Sequence, residues 1–135
     1  MRWTLHVNPA DAVPIWKQIE EGIRRLVATG ALRPGGAVPS VRDLARDLRV
    51  NPATVAKAYQ RLTEACVLEV RRGEGTFVCA SLPAFSGPER RGALRDGAVR
   101  YASLAVTLGA GREETVMEAQ RAWDSLGGHV KGGRP

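Results

Sequence analysis

Residues 39–62 read PSVRDLARDLRVNPATVAKAYQRL, and this stretch predicts two short helices joined by a tight turn. Ser40 can cap the first helix, whose apolar residues recur at helical spacing: Val41, Leu44, Ala45 and Leu48. Asn51 can cap the second helix, and Pro52 suits its first position, where a backbone N–H would have no partner. The connection is so short that we predict a left-handed conformation at Arg49.

A β-hairpin is predicted to follow, from Leu68 to Cys79 (LEVRRGEGTFVC). Gly73-Glu74-Gly75 supplies its turn, and Arg71 and Arg72 lie next to the tip. We reject a phosphate-binding loop for these glycines because no strand-to-helix context and no Lys-Ser/Thr pair follows them. Two helices and then a basic hairpin form the order of a helix-turn-helix with a wing, which predicts binding to duplex DNA.

The segment from about Ala12 to Cys79 carries further motifs in a fixed order. They are a first helix ending in Gly30, Leu32-Arg33-Pro34-Gly35, Pro39-Ser40-Val41-Arg42, Asn51-Pro52-Ala53-Thr54-Val55 and Arg71-Arg72-Gly73-Glu74-Gly75-Thr76. With these motifs, roughly half of the chain resembles the winged-helix domain of GntR-type bacterial transcription regulators. It departs from the family pattern at Arg49 and Cys66, where glycine is common.

The length of 135 residues limits the domain organisation. We predict an α+β fold with a winged helix-turn-helix domain in residues 1–80, and the remainder is too short for an ordinary ligand-binding domain. The resemblance therefore places the chain with the short YtrA-like subgroup, whose tail is a helical hairpin used for dimerisation. That assignment gives residues 81–127 to dimerisation and residues 128–135 to a flexible tail.

The tail has its own apolar pattern after a Pro/Gly/Ser-containing break at residues 82–88. One seam has near-heptad spacing and consists of Leu94, Ala98, Tyr101, Ala105 and Leu108. Gly109-Ala110-Gly111 interrupts it, and a second helix is predicted from about Arg112 to Leu126, with Val116 and Trp123 on one face. These seven side chains are our candidate dimer contacts. The alternative is that both helices pack on their own winged helix.

Charge supports nucleic-acid binding through its position more than through its amount. The net charge is +6, and the basic residues gather in the helix-turn-helix and the wing: Arg33, Arg42, Arg46, Arg49, Lys57, Arg61, Arg71 and Arg72. Most of the basic residues are arginine, which a GC-rich genome also favours. We therefore base the DNA hypothesis on where these residues lie.

The resemblance implies specific roles on the helices. Arg42 enters the major groove, where arginine can contact guanine O6 and N7 together. Asn51 and Thr54 meet a phosphate or a base edge, and Lys57 and Arg61 suit the DNA backbone.

Three further contacts complete the candidate site. Ser40 and Tyr59 are candidate phosphate partners, although the Tyr59 ring also suits packing. Arg72 and Gly73 match the wing-tip pair that approaches the minor groove.

Other chemistry is sparse in the sequence. His6 and His129 lie near opposite ends, no Cys/His cluster has metal-binding spacing, and no catalytic arrangement is present, so we predict neither an enzyme nor a cofactor or metal. Cys66 and Cys79 are interpreted as small packed residues, with a disulfide left geometrically possible. No export signal or membrane-length apolar stretch is visible, which favours a cytoplasmic location without membrane contact.

These observations predict a sequence-specific transcription regulator, acting as a homodimeric repressor on a palindromic operator of double-stranded DNA. Its two recognition helices would enter successive major grooves. A small-molecule effector is one possible signal, and the sequence does not identify it. Two alternatives stay open: a non-specific nucleoid-associated protein and a winged-helix module for protein interaction.

Overall fold

The computed structural model describes residues 5–81 and 87–126, which fall into two units, one in each range. The first unit contains three helices and three strands, and the second contains two helices. The elements are α1 (Ile15–Ala28), β1 (Ala37–Val38), α2 (Val41–Leu48), α3 (Pro52–Glu64), β2 (Leu68–Arg71), β3 (Gly75–Val78), α4 (Gly87–Thr107) and α5 (Arg112–Ser125).

The helix-turn-helix forms through the local signals that its sequence carries. Ser40 Oγ accepts a hydrogen bond from the Asp43 N–H at 3.0 Å, and Asn51 Oδ1 accepts one from the Ala53 N–H at 2.8 Å. Arg49 ends α2 in the left-handed conformation, with φ 59° and ψ 47°. Both predicted caps and the predicted turn conformation are confirmed.

The sheet is antiparallel, with strand order β1, β3, β2. The predicted hairpin is confirmed, and Arg71 pairs with Gly75 beside its tip. The sequence analysis missed β1, which has only two residues, Ala37 and Val38, opposite Phe77 and Thr76. A strand of that length has no periodicity to detect, because it exists only through its pairing with β3.

The hydrophobic core of the first unit lies between its helices and the sheet. Ile19 and Ile23 of α1 are fully buried, and they meet the buried face of the helix-turn-helix. The remaining buried members of the cluster are Leu32, Val38, Leu44, Ala45, Val55, Ala58, Tyr59, Leu62, Val67, Leu68 and Val78. Burying one large aliphatic side chain contributes about 1.5–3 kcal/mol, so this cluster holds α2 and α3 firmly on α1 and the sheet.

A polar clamp fixes the start of α1. Gln18 Nε2 donates to Asn8 O at 3.0 Å and to Val13 O at 2.8 Å, and Gln18 Oε1 accepts from Asn8 N at 2.8 Å. One turn further along, a side chain at Gly22 would collide with Leu5, which packs against the core. The segment before α1 is thereby held on that helix.

The second unit is a pair of helices joined at Gly109, whose φ of +78° favours glycine. Tyr101 Oη donates a hydrogen bond to Thr115 O at 2.8 Å and so links α4 to α5. The two predicted tail helices are confirmed, and the second ends at Ser125. Most of the predicted break, residues 82–86, and the whole predicted tail, residues 128–135, lie outside the described residues.

Candidate nucleic-acid interface

Arg42 lies exposed at the second position of α2. Arg46, one turn later, forms a salt bridge with Asp43 at 2.8 Å, whereas Arg42 makes none with any residue of the described ranges. The Arg42 guanidinium therefore retains its donors for an external acceptor. The position of Arg42 at the beginning of α2 is the one that the sequence motifs predicted.

The two capping residues keep hydrogen-bond donors at the surface. Asn51 uses Oδ1 for the cap, so its side-chain NH₂ group is available to donate to an external partner. Ser40 uses Oγ as an acceptor, and its hydroxyl proton is likewise available. Thr54 is half-buried in the first turn of α3, close in sequence to Asn51. The N-terminal ends of α2 and α3 thus present polar donors, as a phosphate-binding surface requires.

Tyr59 is buried, with 5 % of its surface exposed, and its hydroxyl donates to Pro39 O at 2.7 Å. Burial raises the pKa of Tyr59 far above its ordinary value, because the phenolate would lose its solvation. The side chain therefore joins α3 to the segment before α2. We replace the predicted phosphate contact with this packing role, since the hydroxyl already has a partner inside the unit.

We expect Tyr59→Phe to lower the free energy of unfolding by about 0.5–1.5 kcal/mol at pH 7, because Pro39 O loses its donor. The raised folded-state pKa means that the contribution of Tyr59 is complete below the unfolded pKa of about 10 and is lost as pH rises above it. The difference between wild type and variant should therefore shrink above pH 10. Urea unfolding of both proteins at pH 7 and above pH 10 measures it, and an unchanged difference would contradict the assignment.

Lys57 and Arg61 lie one turn apart on α3, and both approach the Trp16 ring of α1. Lys57 Nζ is 4.4 Å and Arg61 Cζ is 4.8 Å from the ring centroid. Arg61 Nε also donates to Glu20 Oε1 at 2.8 Å, so Arg61 is tied to α1. Of the two predicted backbone contacts, Lys57 alone has no carboxylate partner among the described residues.

The two arginines of the wing have different surroundings. Arg71 stacks over Phe77, with Cζ 4.0 Å from the ring centroid, and forms a salt bridge with Glu69 at 2.8 Å. Arg72 is exposed and has no salt bridge within the described part of the chain. Gly73 follows with a φ of +78°, which lets the chain turn at the tip. Arg72 is accordingly the wing arginine whose charge is available to an external ligand.

The two cysteines are free thiols, with no disulfide between them. Cys79 is half-buried, and desolvation is the main cause that raises the pKa of its thiol. Cys66 is exposed and adopts a φ of +62° after α3, so its interpretation as a packed residue is wrong. It occupies a left-handed turn position that suits glycine sterically.

The candidate dimer contacts are mostly exposed in the tail unit. Leu94 is 68 % exposed, Leu108 is 72 % exposed and Trp123 is 56 % exposed, while Ala105 is buried. Val116 and Tyr101 are also exposed, as is Ala98. The sequence analysis missed further exposed apolar residues of this unit, namely Val99, Leu104, Val106 and Met117.

Within residues 5–81 and 87–126, no three His, Cys, Asp or Glu side chains are grouped so that they could hold a metal ion. No helix in the same ranges is long and apolar enough to cross a membrane.

The profile described as "Bacterial regulatory proteins, gntR family" matches residues 16–78, which contain the helix-turn-helix and the wing. The HTH-type transcriptional regulator Rv1152 of Mycobacterium tuberculosis is 35 % identical over 81 % of this chain and 85 % of its own length. The chain belongs to the GntR family. The fold and the family are thus those that the sequence motifs predicted.

The HTH-type transcriptional repressor YtrA of Bacillus subtilis is 38 % identical over 55 % of this chain. This match spans 57 % of the length of that relative. A structure of YtrA from Sulfolobus acidocaldarius, a GntR-family transcription factor, has a TM-score of 0.57 and 34 % identity over 75 % of this chain and 97 % of its own. Within the GntR family, the chain is of the YtrA-like type.

Two more solved structures extend the comparison. A transcriptional antiterminator from Listeria monocytogenes has a TM-score of 0.77 and 30 % identity, over 98 % of this chain and 100 % of its own. AraR(DBD) in complex with operator ORX1 has a TM-score of 0.50 and 27 % identity, over 56 % of this chain and 93 % of its own. The family and its relatives are DNA-binding regulators of transcription, not enzymes.

The sequence analysis missed Trp16 and Glu20, which lie one turn apart on α1. The signal in the sequence was Glu20, an acidic residue that directly follows Ile19 of the apolar stripe on α1. A buried charge is rare unless it has a partner, so this position predicts an ion pair.

Proposed function

We propose that this GntR-family protein is a homodimeric repressor that binds a palindromic operator. The observation that carries the proposal is the set of available donors at the N-terminal ends of α2 and α3 and at the wing tip. Arg42, Asn51 and Arg72 each retain donors toward the surface of the first unit. An operator complex of a related DNA-binding domain supports DNA as the ligand.

Sequence recognition would depend mainly on Arg42. A guanidinium in the major groove can donate to guanine O6 and N7 together, which discriminates guanine from the other bases. Asn51, Ser40 and Thr54 would fix the register of the helices by donating to phosphates or to a base edge. Lys57 would add a charge contact to the DNA backbone, and this contact is independent of sequence.

The wing would contact the minor groove beside each recognition helix. Arg72 supplies an exposed positive charge, and Gly73 has no side chain to keep the backbone away from DNA. A narrow minor groove has enhanced negative potential, which attracts arginine. The held position of Arg71 supports Arg72 as the inserted residue.

We assign the exposed apolar surface of α4 and α5 to a second copy of the chain. Surfaces of this kind are uncommon on monomers unless they serve an interaction. The net charges of the two helices have opposite signs, which also supports self-association. Helix α4 carries Arg90, Arg91, Arg95 and Arg100 against Glu89 and Asp96, and α5 carries Glu113, Glu114, Glu118 and Asp124 against Arg112 and Arg121. A two-fold dimer would place two reading domains on a two-fold operator.

Regulation by a small molecule would use the tail unit. A cavity of about 300 Å³ lies between α4 and α5, and apolar side chains and two carboxylates line it. Its main lining residues are Tyr101, Leu104, Leu108, Glu114, Thr115 and Glu118. Because Tyr101 and Leu108 are also candidate dimer contacts, occupation of this cavity would act on dimerisation and thereby on operator affinity.

Selection of bound duplexes from a random DNA pool, at near-physiological salt, tests the proposed function. We expect enrichment of a motif with two-fold symmetry, because each protomer would read one half-site. Transcription in vitro from a promoter overlapping that motif should then fall as protein is added. A pool that stays random would contradict sequence-specific binding, and a steep salt dependence without preference would instead indicate a nucleoid-associated protein.

A further inference from the structure

We propose that α1 adjusts the affinity of α3 for DNA. Glu20 and Trp16 of α1 act as positioning residues for the basic face of α3, which consists of Lys57 and Arg61. Glu20 compensates the charge of Arg61, and Trp16 holds Lys57, so Lys57 supplies the phosphate contact of this face. The inference rests on the proposed DNA binding. In this arrangement α1 sets the affinity of the protein for DNA and the part of that affinity that is independent of sequence.

Glu20 is buried on α1, with 8 % of its surface exposed, although it is charged. Its Oε1 accepts from Arg61 Nε at 2.8 Å, and its Oε2 lies 3.7 Å from an Arg24 guanidinium nitrogen. Burial weakens screening by solvent, so the carboxylate acts strongly on the charge closest to it. That charge belongs to Arg61.

The side chain of Arg61 is 49 % exposed, so the guanidinium lies at the surface rather than in the core. An exposed arginine on this face of α3 would contact DNA phosphate if it had no partner. The carboxylate of Glu20 reduces that attraction because a phosphate brought near Arg61 would also be near the buried negative charge. Arg61 therefore serves mainly to hold α3 against α1, and it adds little positive charge for a phosphate to meet.

Lys57 and Arg61 both approach the Trp16 ring of α1. Lys57 Nζ is 4.4 Å from its centroid, and a cation within about 6 Å of an aromatic face is attracted to it. A lysine side chain has several rotatable bonds, and contact with the ring restricts them before DNA binds. Less conformational entropy of the Lys57 side chain is consequently lost when its ammonium contacts a phosphate.

The charge arrangement is tested with Glu20→Gln, which keeps an oxygen acceptor for Arg61 Nε but removes the negative charge. Each phosphate neutralised by a cation adds about 0.9 to the slope of log affinity against log salt. We expect Glu20→Gln to steepen this slope by about 0.9. Between 50 and 200 mM salt, the variant should then lose about 3-fold more affinity than wild type.

The matched control is Glu21→Gln, which changes the net charge equally at the next residue of α1. Glu21 is exposed and makes no salt bridge with another described residue. We expect its slope to stay within a few tenths of wild type. Equal steepening by both variants would overturn the proposal, because it would show an effect of total charge and not of the Glu20–Arg61 pair.

A second comparison keeps the test independent of folding. Glu20→Gln combined with Arg61→Met should return the slope to that of wild type, and thermal unfolding identifies any variant that does not fold.

The role of Trp16 is tested with Trp16→Leu, which should weaken binding several-fold in the wild-type background and much less in a Lys57→Met background. Additive losses would contradict the positioning role of Trp16.

Operator preference by wild type together with an unchanged slope in Glu20→Gln would overturn only the role of α1. Absence of operator preference in wild type would contradict the proposed function itself, whatever the slopes on other duplexes.

Discussion

Arg42→Ala is expected to weaken binding to the selected operator by about 5- to 150-fold, which corresponds to about 1–3 kcal/mol. The physical reason is that an exposed guanidinium without an internal partner has both of its parallel donors available for one guanine. Titration of the operator and of a scrambled duplex with each protein measures the loss. The preference for the operator should fall with the affinity, because the lost contact reads a base.

Two variants serve as controls for this prediction. Lys57→Ala should weaken the operator and the scrambled duplex similarly, since a phosphate contact carries no base information. Arg46→Ala removes an arginine that is already paired with Asp43 on the same helix, and it should change the preference little. Equal losses on both duplexes from Arg42→Ala would show that Arg42 contacts the backbone and would contradict our assignment.

Leu108→Asp is expected to convert the proposed dimer into monomers and to reduce affinity for the full operator by about 10²- to 10⁴-fold. Leu108 is 72 % exposed at the end of the α4 seam, and a carboxylate there would be buried without a partner in the proposed interface. The loss on DNA is large because two linked half-sites bind with a high effective concentration. Sedimentation and operator titration measure the two effects.

Ser103→Asp is the matched control, because residue 103 lies about 180° from the middle of the seam at 100° per helical residue. It should leave the dimer intact, and both variants should bind a single half-site as wild type does. An unchanged dimer in Leu108→Asp would refute the proposed interface and favour packing of the tail on its own winged helix. Dissociation by Ser103→Asp alone would move the interface to the side of Val99 and Val106.

The cavity between α4 and α5 would connect the proposed dimerisation to the proposed effector. Tyr101 and Leu108 line it and also belong to the candidate dimer seam. A ligand in the cavity can shift an equilibrium only through different affinities for two states. The monomer and the dimer are the two states that this arrangement offers.

Much of the first unit follows from signals within a few residues of one another. Ser40 and Asn51 cap their helices through backbone groups two or three residues away, and the turn at Gly73-Glu74-Gly75 closes a hairpin of adjacent strands. Interactions at such short separation need no information about the rest of the fold. The family motifs contain the same residues, which is why the sequence predicted the winged helix and its exposed arginines.

The roles that the tertiary structure decided depend on partners far apart in the chain. Arg61 meets Glu20 across 41 residues, and the Tyr59 hydroxyl meets Pro39 O across 20 residues. Spacing within α3 shows that Tyr59 and Arg61 lie on a helix. It does not show that their polar groups are already bonded to distant parts of the chain. The sequence by itself therefore determined the family, the helices, the hairpin and the candidate interface. Only packing of α1 and β1 against the helix-turn-helix decided which polar groups remain available to DNA, because that packing uses donors and charges that local patterns leave unassigned.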